Sequence, residues 1–327
     1  MNLYQQQASN RRATWIVMAG FSLFLAFLGY GFDLFSFGTP YPVSGVLALL
    51  LGGAFVAHGY FRGDRSVLAA SGAVPMGQAL AAAGTDDERF ALTQLQNVNE
   101  EMAIAAGIPR PRLYVIPDPD PNAFATGRGP GFASIAVTQG LLRIVNREEL
   151  QGVVAHEMSH IRNYDIRLMT VVAALVGAIT LLSDWVTRER RGGARIGRRG
   201  SRDRDGGSGN PILFIIWIIA IVLAPIVAQI LAMMVSRQRE YLADATGAEL
   251  TRNPLSLASA LEKIEAAAGP TSAIGRGVAH LCIGDPLGRK IGLREGFWAD
   301  LFATHPPMQK RIAALQGMAY LPSARRS

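Results

Sequence analysis

The sequence predicts an integral membrane protein, mainly α-helical, in which four hydrophobic helices carry a cytosolic α+β domain with a small β-ribbon. Three observations point there. Half of the 327 residues are apolar and only 17% are charged, with a mean hydropathy of +0.21, which is poor in charge for an ordinary soluble domain. The apolar residues gather in four segments long enough to cross a bilayer: Thr14–Phe32, Tyr41–Phe61, Leu168–Val186 and Pro211–Ser236. Between them, His156-Glu157-Met158-Ser159-His160 sets two imidazoles four residues apart. On a helix that spacing puts both on one face, where they can grip one metal ion.

The first two segments form a hairpin over residues 1–65. Arg11 and Arg12 precede it, Arg62 and Arg65 follow it, and the loop from Asp33 to Pro40 has no Lys or Arg. Cytoplasmic flanks are the basic ones, so the N-terminus and the chain after Phe61 are expected in the cytosol. The first segment lacks a small-residue cleavage site and reads as an anchor rather than a removable signal. The single cysteine, Cys282, excludes an intramolecular disulfide and fits a reducing compartment. The net charge of +7 clusters beside the apolar segments, which favours the anionic surface of a lipid bilayer as partner over nucleic acid.

A Gly/Ala-rich linker is expected over 66–84. The first half of the domain then runs over 85–167: a helix from Asp86 to Ala106 closed by Gly107 and Pro109, and a strand over Arg112–Ile116. After the Pro117–Pro121 run come short strands at Ala123–Thr126 and Ala133–Thr138, read as a ribbon with one accessible edge. Glu148–Asn163 is the helix that holds the two histidines. A second hairpin occupies 168–236 and contains an Arg/Gly-rich loop at 187–210, and the second half of the domain is 237–327. That loop has eight arginines and three acids, which sits poorly with an outside location. Asp184, Pro225 and Gln229 likewise make these two segments imperfect spans, and the reading adopted is that both cross.

A catalytic zinc takes three protein ligands and leaves one position open. His58, His280 and His305 are available, and so is the acidic pair Glu240 and Asp244, four apart on one helix face. Glu240 can bind metal while Asp244 orients a ligand imidazole; the pair can equally be a solvated acidic face beside Arg237 and Arg239. If Glu240 shares a metal with His156, the chain crosses the membrane an even number of times between them. Glu240 then lies about 6 Å beyond Ser236 along a continuous helix, close to the bilayer surface. Glu157, next to a bound water, is placed to act as general base. His58 reads as an interfacial side chain at the end of the second apolar segment, and His280 and Cys282 read as structural.

Together these blocks resemble the HtpX-type membrane zinc metalloproteases, relatives of the type I CAAX prenyl proteases. The resemblance is carried by His156–His160, by Glu240-Tyr241-Leu242-Ala243-Asp244 with Ser236-Arg237-Gln238-Arg239 before it, by Asn122-Ala123-Phe124-Ala125-Thr126-Gly127, and by Thr304-His305-Pro306-Pro307 with Arg311 beyond. These stand in order from about residue 85 to 318. It implies a zincin-like domain holding one Zn2+ through His156, His160 and Glu240, with Glu157 as the catalytic base and Asp244 behind the ligands. His305 is expected to donate to the oxyanion. Asn122, Ala123, Phe124, Ala125 and Thr126 are expected to bind substrate as an added strand, and Arg311 to support the same region. The implied activity is hydrolysis of misfolded or damaged membrane proteins at the cytoplasmic (inner) membrane. The Arg/Gly-rich loop and the stretch 66–84 depart from the family pattern. Two rivals share the residues: a CAAX-type protease of prenylated proteins, disfavoured by having only four apolar segments, and a silent zinc-containing membrane scaffold, disfavoured because such a site has no use for Glu157.

Overall fold

Residues 3–34, 40–175, 237–267, 281–284 and 306–320 are described by the computed structural model. Two long helices open the chain, α1 (Leu3–Phe32) and α2 (Val43–Ala70). Their length and composition suit membrane spans, over Gln7–Phe32 and Val43–Ala70. They run antiparallel, because Gly45 lies against Tyr30 and Gly52 against Leu25. Asp33 Oδ2 accepts from the Ser44 and Gly45 amides, at 2.7 and 3.1 Å, and so satisfies the free N-terminus of α2. Large apolar side chains point away from the protein, among them Trp15, Ile16, Leu23, Leu50 and Leu51.

One face of α2 is small. A Cβ on Gly63 would stand 2.9 Å from Thr170 Cγ2. Gly59 and Gly63 thus let α2 approach the helix α7, described over 165–175, at backbone distance. Only the first turns of the third apolar segment are seen here, with Leu168, Met169, Val171 and Val172 buried. The rest of that segment, the fourth segment, the Arg/Gly-rich loop, His280 and His305 lie outside the described residues.

The stretch expected as a linker is built into the domain. The second helix continues to Ala70, then β1 (Val74–Pro75) and α3 (Met76–Ala82) follow. Val74 pairs with Val115, and Met76 is buried in the main core. The expected ribbon is accordingly part of a larger sheet, of order β1-β2-β4-β3, with β2 (Arg112–Ile116), β3 (Ala123–Gly127) and β4 (Ala133–Thr138). Strands β2 and β4 are parallel, while β3 and β4 form an antiparallel hairpin. Every residue of β3 and β4 is buried, so an alternating pattern on these strands had nothing to report.

Six of the described helices close the core on the sheet. The α4 helix (Asp86–Ala106) starts at Thr85, whose hydroxyl accepts from the Glu88 amide, and stops at Gly107 in the left-handed region with φ 66°. A short α5 (Gln139–Ile144) leads to α6 (Arg147–Arg162), which opens with a capping box between Asn146 and Glu149. Helices α8 (Arg237–Thr251), α9 (Pro254–Ala267) and α10 (Met308–Tyr320) complete the layer. Leu95, Val98, Ile135, Leu141, Val153, Val154, Met158, Leu257, Leu261 and Leu315 are the centre of this core.

Candidate active site

Helix α6 is buried on nearly every side from Leu150 to Ile161. Such a helix keeps polar groups only where they have partners. His156 and His160 stack along it one turn apart, with ring centroids 4.8 Å from each other. Helix α8 packs across them at Gly247, where a Cβ would come within 3.1 Å of the His156 amide nitrogen. That close approach brings Glu240 against both imidazoles.

The three candidate ligand atoms converge. The two Nε2 atoms are 3.2 Å apart; Glu240 Oε2 is 3.7 Å from His156 Nε2, and Glu240 Oε1 is 3.5 Å from His160 Nε2. Ligands about 2.0–2.1 Å from a tetrahedral ion stand about 3.3–3.4 Å from one another, and the observed separations bracket that value. All three side chains are buried, and among the described residues they form the one cluster that could hold a metal.

The far nitrogens of both rings are held by carboxylates. His156 Nδ1 lies 2.9 Å from Asp244 Oδ1, and His160 Nδ1 lies 3.1 Å from Asp165 Oδ2. A proton on each Nδ1 leaves the Nε2 lone pairs facing the ligand centre. Arg311 is fully buried and links the pieces. Its Nε and Nη2 donate to Asp244 at 2.8 and 2.7 Å, and Nη1 stands 3.2 Å from Glu240 Oε2 and donates to Ile283 O at 3.0 Å. This planar fork on a carboxylate is the geometry in which Arg differs from Lys.

Electrostatics follow the burial. Desolvation pushes the Glu157 carboxyl up to about 7, helped by Glu240 and opposed by the charge of His160 and the Ala125 amide. Burial pulls His156 down, with Arg311 and His160 adding to it against the pull of Asp244. Burial also works against charge on His160, but Asp165 and Glu240 outweigh it and raise the ring to about 9. Desolvation would raise Asp244, yet Arg311 and His156 hold it down at about 2. To hold a metal ion through Nε2, His160 would have to give up the proton there. Glu157 Oε2 is buried with no hydrogen-bond partner among the described residues, so one carboxylate oxygen beside the ligand atoms is left for a further group.

The strand expected to take substrate borders the site, but its outer edge is not open along its length. Phe124 forms an antiparallel bridge with Cys282, and the Ile283 amide donates to Ala123 O at 2.9 Å. Asn122 exchanges bonds with Gly284, through Nδ2 to its carbonyl at 3.2 Å and Oδ1 from its amide at 3.4 Å. Thr126 bonds Thr170 through its hydroxyl. The Ala125 amide faces Glu157. Arg311 stands among the buried carboxylates, and His305 lies outside the described residues.

Sequence reasoning missed Asp165 and Asn10. Asp165 follows a two-residue turn after α6 in which Tyr164 adopts φ 60°, so helical periodicity carries no signal for it. A left-handed residue straight after a helix stop was the only cue. Asn10 is 155 residues from Asp165, to which it bonds.

The family model described as "Peptidase family M48" matches residues 91–319. A protease HtpX homolog from Caldanaerobacter subterraneus subsp. tengcongensis is 44% identical over 321 residues, covering 97% of this chain and 98% of the relative. One from Streptococcus thermophilus is 41% identical over 317 residues, covering 97% and 100%. The crystal structure of S. mikatae Ste24p superposes over 96% of this chain and 66% of its own, with 17% identity and a TM-score of 0.48. With the family model spanning most of the domain and relatives aligned from end to end, this chain belongs to peptidase family M48, as a membrane metalloprotease of the HtpX type.

Proposed function

We propose that the chain is a zinc-dependent endopeptidase of the cytoplasmic membrane that hydrolyses misfolded or damaged membrane proteins. The observation that carries it is the convergence of His156, His160 and Glu240 on one point beside Glu157. Two imidazoles and a carboxylate with tetrahedral spacing are a donor set that suits zinc and leaves a fourth position for the reaction. A metal ion there supplies Lewis acidity, which polarises the scissile carbonyl and eases loss of a proton from water.

The chain's own residues do the rest. Glu157 accepts the proton of the attacking water as the water oxygen bonds to the carbonyl carbon. It then delivers that proton to the amine nitrogen as the C–N bond breaks. A carboxyl lifted to about 7 can both take and give a proton near neutrality. Asp244 and Asp165 hold the imidazoles, and Arg311 holds Asp244 and Glu240. His305 is the candidate oxyanion donor: it stands six residues before Arg311 in the sequence. Loss of turnover in His305→Ala with zinc retained supports that role; unchanged turnover removes it.

Substrate adds as a strand to the outer edge of β3, where Ala123 and Ala125 present backbone groups next to Glu157. Backbone recognition is indifferent to sequence, as clearing damaged proteins requires. Residues 281–284 give way to it. Ile283→Pro deletes the amide that bonds Ala123 O, so a lower KM is expected; a fall in kcat with unchanged KM identifies 281–284 as permanent framework instead.

Four spans and a cytosolic domain complete the proposal. In support, Gln7 and Asn10 of α1 touch Arg162 and Asn163, while α2 ends beside β1. Both outer ends of the hairpin therefore meet the domain. The 19 residues of the first apolar segment, Thr14–Phe32, cover about 28 Å, close to the hydrocarbon thickness of about 30 Å. The test is cleavage of an unfolded reporter by purified protein in detergent, with bound zinc measured. Wild type should cut, while Glu157→Gln with full zinc and chelated wild type should not. Cutting by Glu157→Gln rejects the mechanism.

A further inference from the structure

Outside the ligand set, the membrane hairpin buries a polar side chain against the domain: Asn10, on α1 and 2% exposed. Its Nδ2 donates both to Asn163 O at 2.9 Å, where α6 ends, and to Asp165 Oδ1 at 2.5 Å. The other oxygen of that same carboxylate faces His160 Nδ1. Thr14 donates its hydroxyl to Asn10 O, and Gln7 Nε2 reaches Arg162 O at 2.9 Å. A chain of bonds therefore runs from the first membrane helix through Asp165 to the imidazole whose opposite nitrogen faces the ligand centre.

We infer that Asn10 is a positioning residue for the hydrolytic site: the first membrane helix sets the orientation of His160 by holding Oδ1 of Asp165, which aims Oδ2 at the imidazole. This rests on the reading of His160 as a metal ligand. Asp165 sits just past the end of α6, on the far side of a turn that Tyr164 makes at φ 60°. Among the described residues, the hydrogen bond it receives from α6 is the one from His160 itself. A carboxylate held at one oxygen can swing about its Cβ–Cγ bond, whereas one held at both keeps Oδ2 aimed at His160. Arg239 brings a positive charge towards Asp165 and Glu240 alike. Among the described residues, the hydrogen bond to Asp165 Oδ1 is the one from Asn10. Arg11 stacks on Tyr164, 4.3 Å from the ring centroid, so the neighbouring residue on α1 braces the same turn. The ligand geometry of a cytosolic-side domain thus depends on a helix that lies mostly in the bilayer.

Loss of groups behind a metal ligand typically weakens binding about 10- to 100-fold. Asn10 acts one bond further out, so about a 10-fold loss is expected in Asn10→Leu, which keeps the size and removes the donor. The experiment uses the full chain in detergent micelles, stripped of metal and titrated with zinc against a chromophoric chelator. The kcat and KM of the reloaded protein are read alongside. One zinc per wild-type chain, abolished in His160→Ala, tests the underlying ligand reading separately. Asn10→Leu should bind zinc about 10-fold more weakly and lose kcat rather than KM. Combined with Asp165→Ala it should add nothing to the single Asp165→Ala loss. Gln7→Leu, which breaks the neighbouring bond to α6 without touching Asp165, should lower Tm and leave zinc affinity unchanged. Asn10→Ser, a smaller change that keeps a polar group too short to reach Asp165, covers the case in which Asn10→Leu does not fold. If both Asn10 variants behave like Gln7→Leu, with wild-type zinc affinity, or if their loss adds fully to that of Asp165→Ala, the inference is overturned.

Discussion

The membrane hairpin and the metal-site core break the usual inside–outside rule in opposite directions. On α1 and α2 the large side chains are outside: Ile16 is 70% exposed and Leu50 is 65% exposed. Around α6, charges are inside, with Arg311 fully buried and Glu157 and Asp244 each 1% exposed. A soluble domain tolerates scattered apolar residues on its surface, but not two whole helices of them. It tolerates buried charges only when they are paired or bind an ion. Each region is therefore shaped for something other than protein: lipid-length apolar faces in one, a cluster of buried candidate metal ligands in the other. They meet at Asn10, where the lipid-facing helix bonds the carboxylate behind a ligand.

The sharpest way to separate the two is chemical. Glu157→Gln keeps size and burial but cannot take a proton, so turnover should fall at least about 10²- to 10⁴-fold. Zinc content and Tm should stay near wild type, as measured by metal analysis and thermal melting. A stability loss as large as the activity loss would make Glu157 a structural group.

Arg311→Met comes next and tests whether the buried charges form one unit. It strands Asp244 and removes the guanidinium 3.2 Å from Glu240, and breaking such a buried pair costs about 3–5 kcal/mol. Denaturant melts of the metal-free protein should show it, with zinc restoring part of the loss because the ion compensates Glu240. Arg311→Lys should not rescue it, since an ammonium cannot match the two-pronged contact on Asp244.

On the other region, Leu50→Arg should be harmless if that face of α2 meets water. Facing hydrocarbon it should cost about 2.5–3.5 kcal/mol, seen as reduced insertion into membranes. The comparison then predicts normal zinc binding in whatever fraction inserts, because Leu50 lies far along α2 from the contacts of Gly63 with α7.

The smallest effect concerns Glu149, which closes the capping box and accepts from Ser259 at 2.6 Å and Lys263 at 2.7 Å. Burial favours its neutral form, but the bonds from Lys263 and Ser259 win and hold the carboxyl below its ordinary value. Its contribution is thus present at neutral pH and is lost as pH falls through the carboxylate range. Glu149→Gln should cost about 1 kcal/mol at pH 7, and the gap to wild type should narrow in melts at acid pH.

Much of the site was legible because its core is local. Two histidines four apart share a helix face in any α-helix, and Glu240 and Asp244 repeat that spacing on a second one. The strands at Arg112–Ile116 and Ala133–Thr138 were bounded by Pro and Gly runs and fell where expected. The stretch 66–84 misled because Gly and Ala say little about pairing; β1 exists because Val74 finds Val115, not because two residues prefer to be a strand. The edge of β3 misled as well, since strand periodicity cannot reveal that 281–284 returns from far along the chain to cover it.

What the sequence determined by itself, then, is the repertoire: lipid-length apolar helices, two imidazoles on one helix face and a carboxylate beside them, all set by periods of a few residues. Tertiary structure decided which groups stand behind those ligands. Asp165 reaches His160 only through a left-handed turn, Asn10 reaches Asp165 only when the first helix docks on α6, and Arg311 reaches Asp244 only when the last helix does. Contacts across such separations are fixed by the packing of whole elements, and no local pattern of residues encodes them.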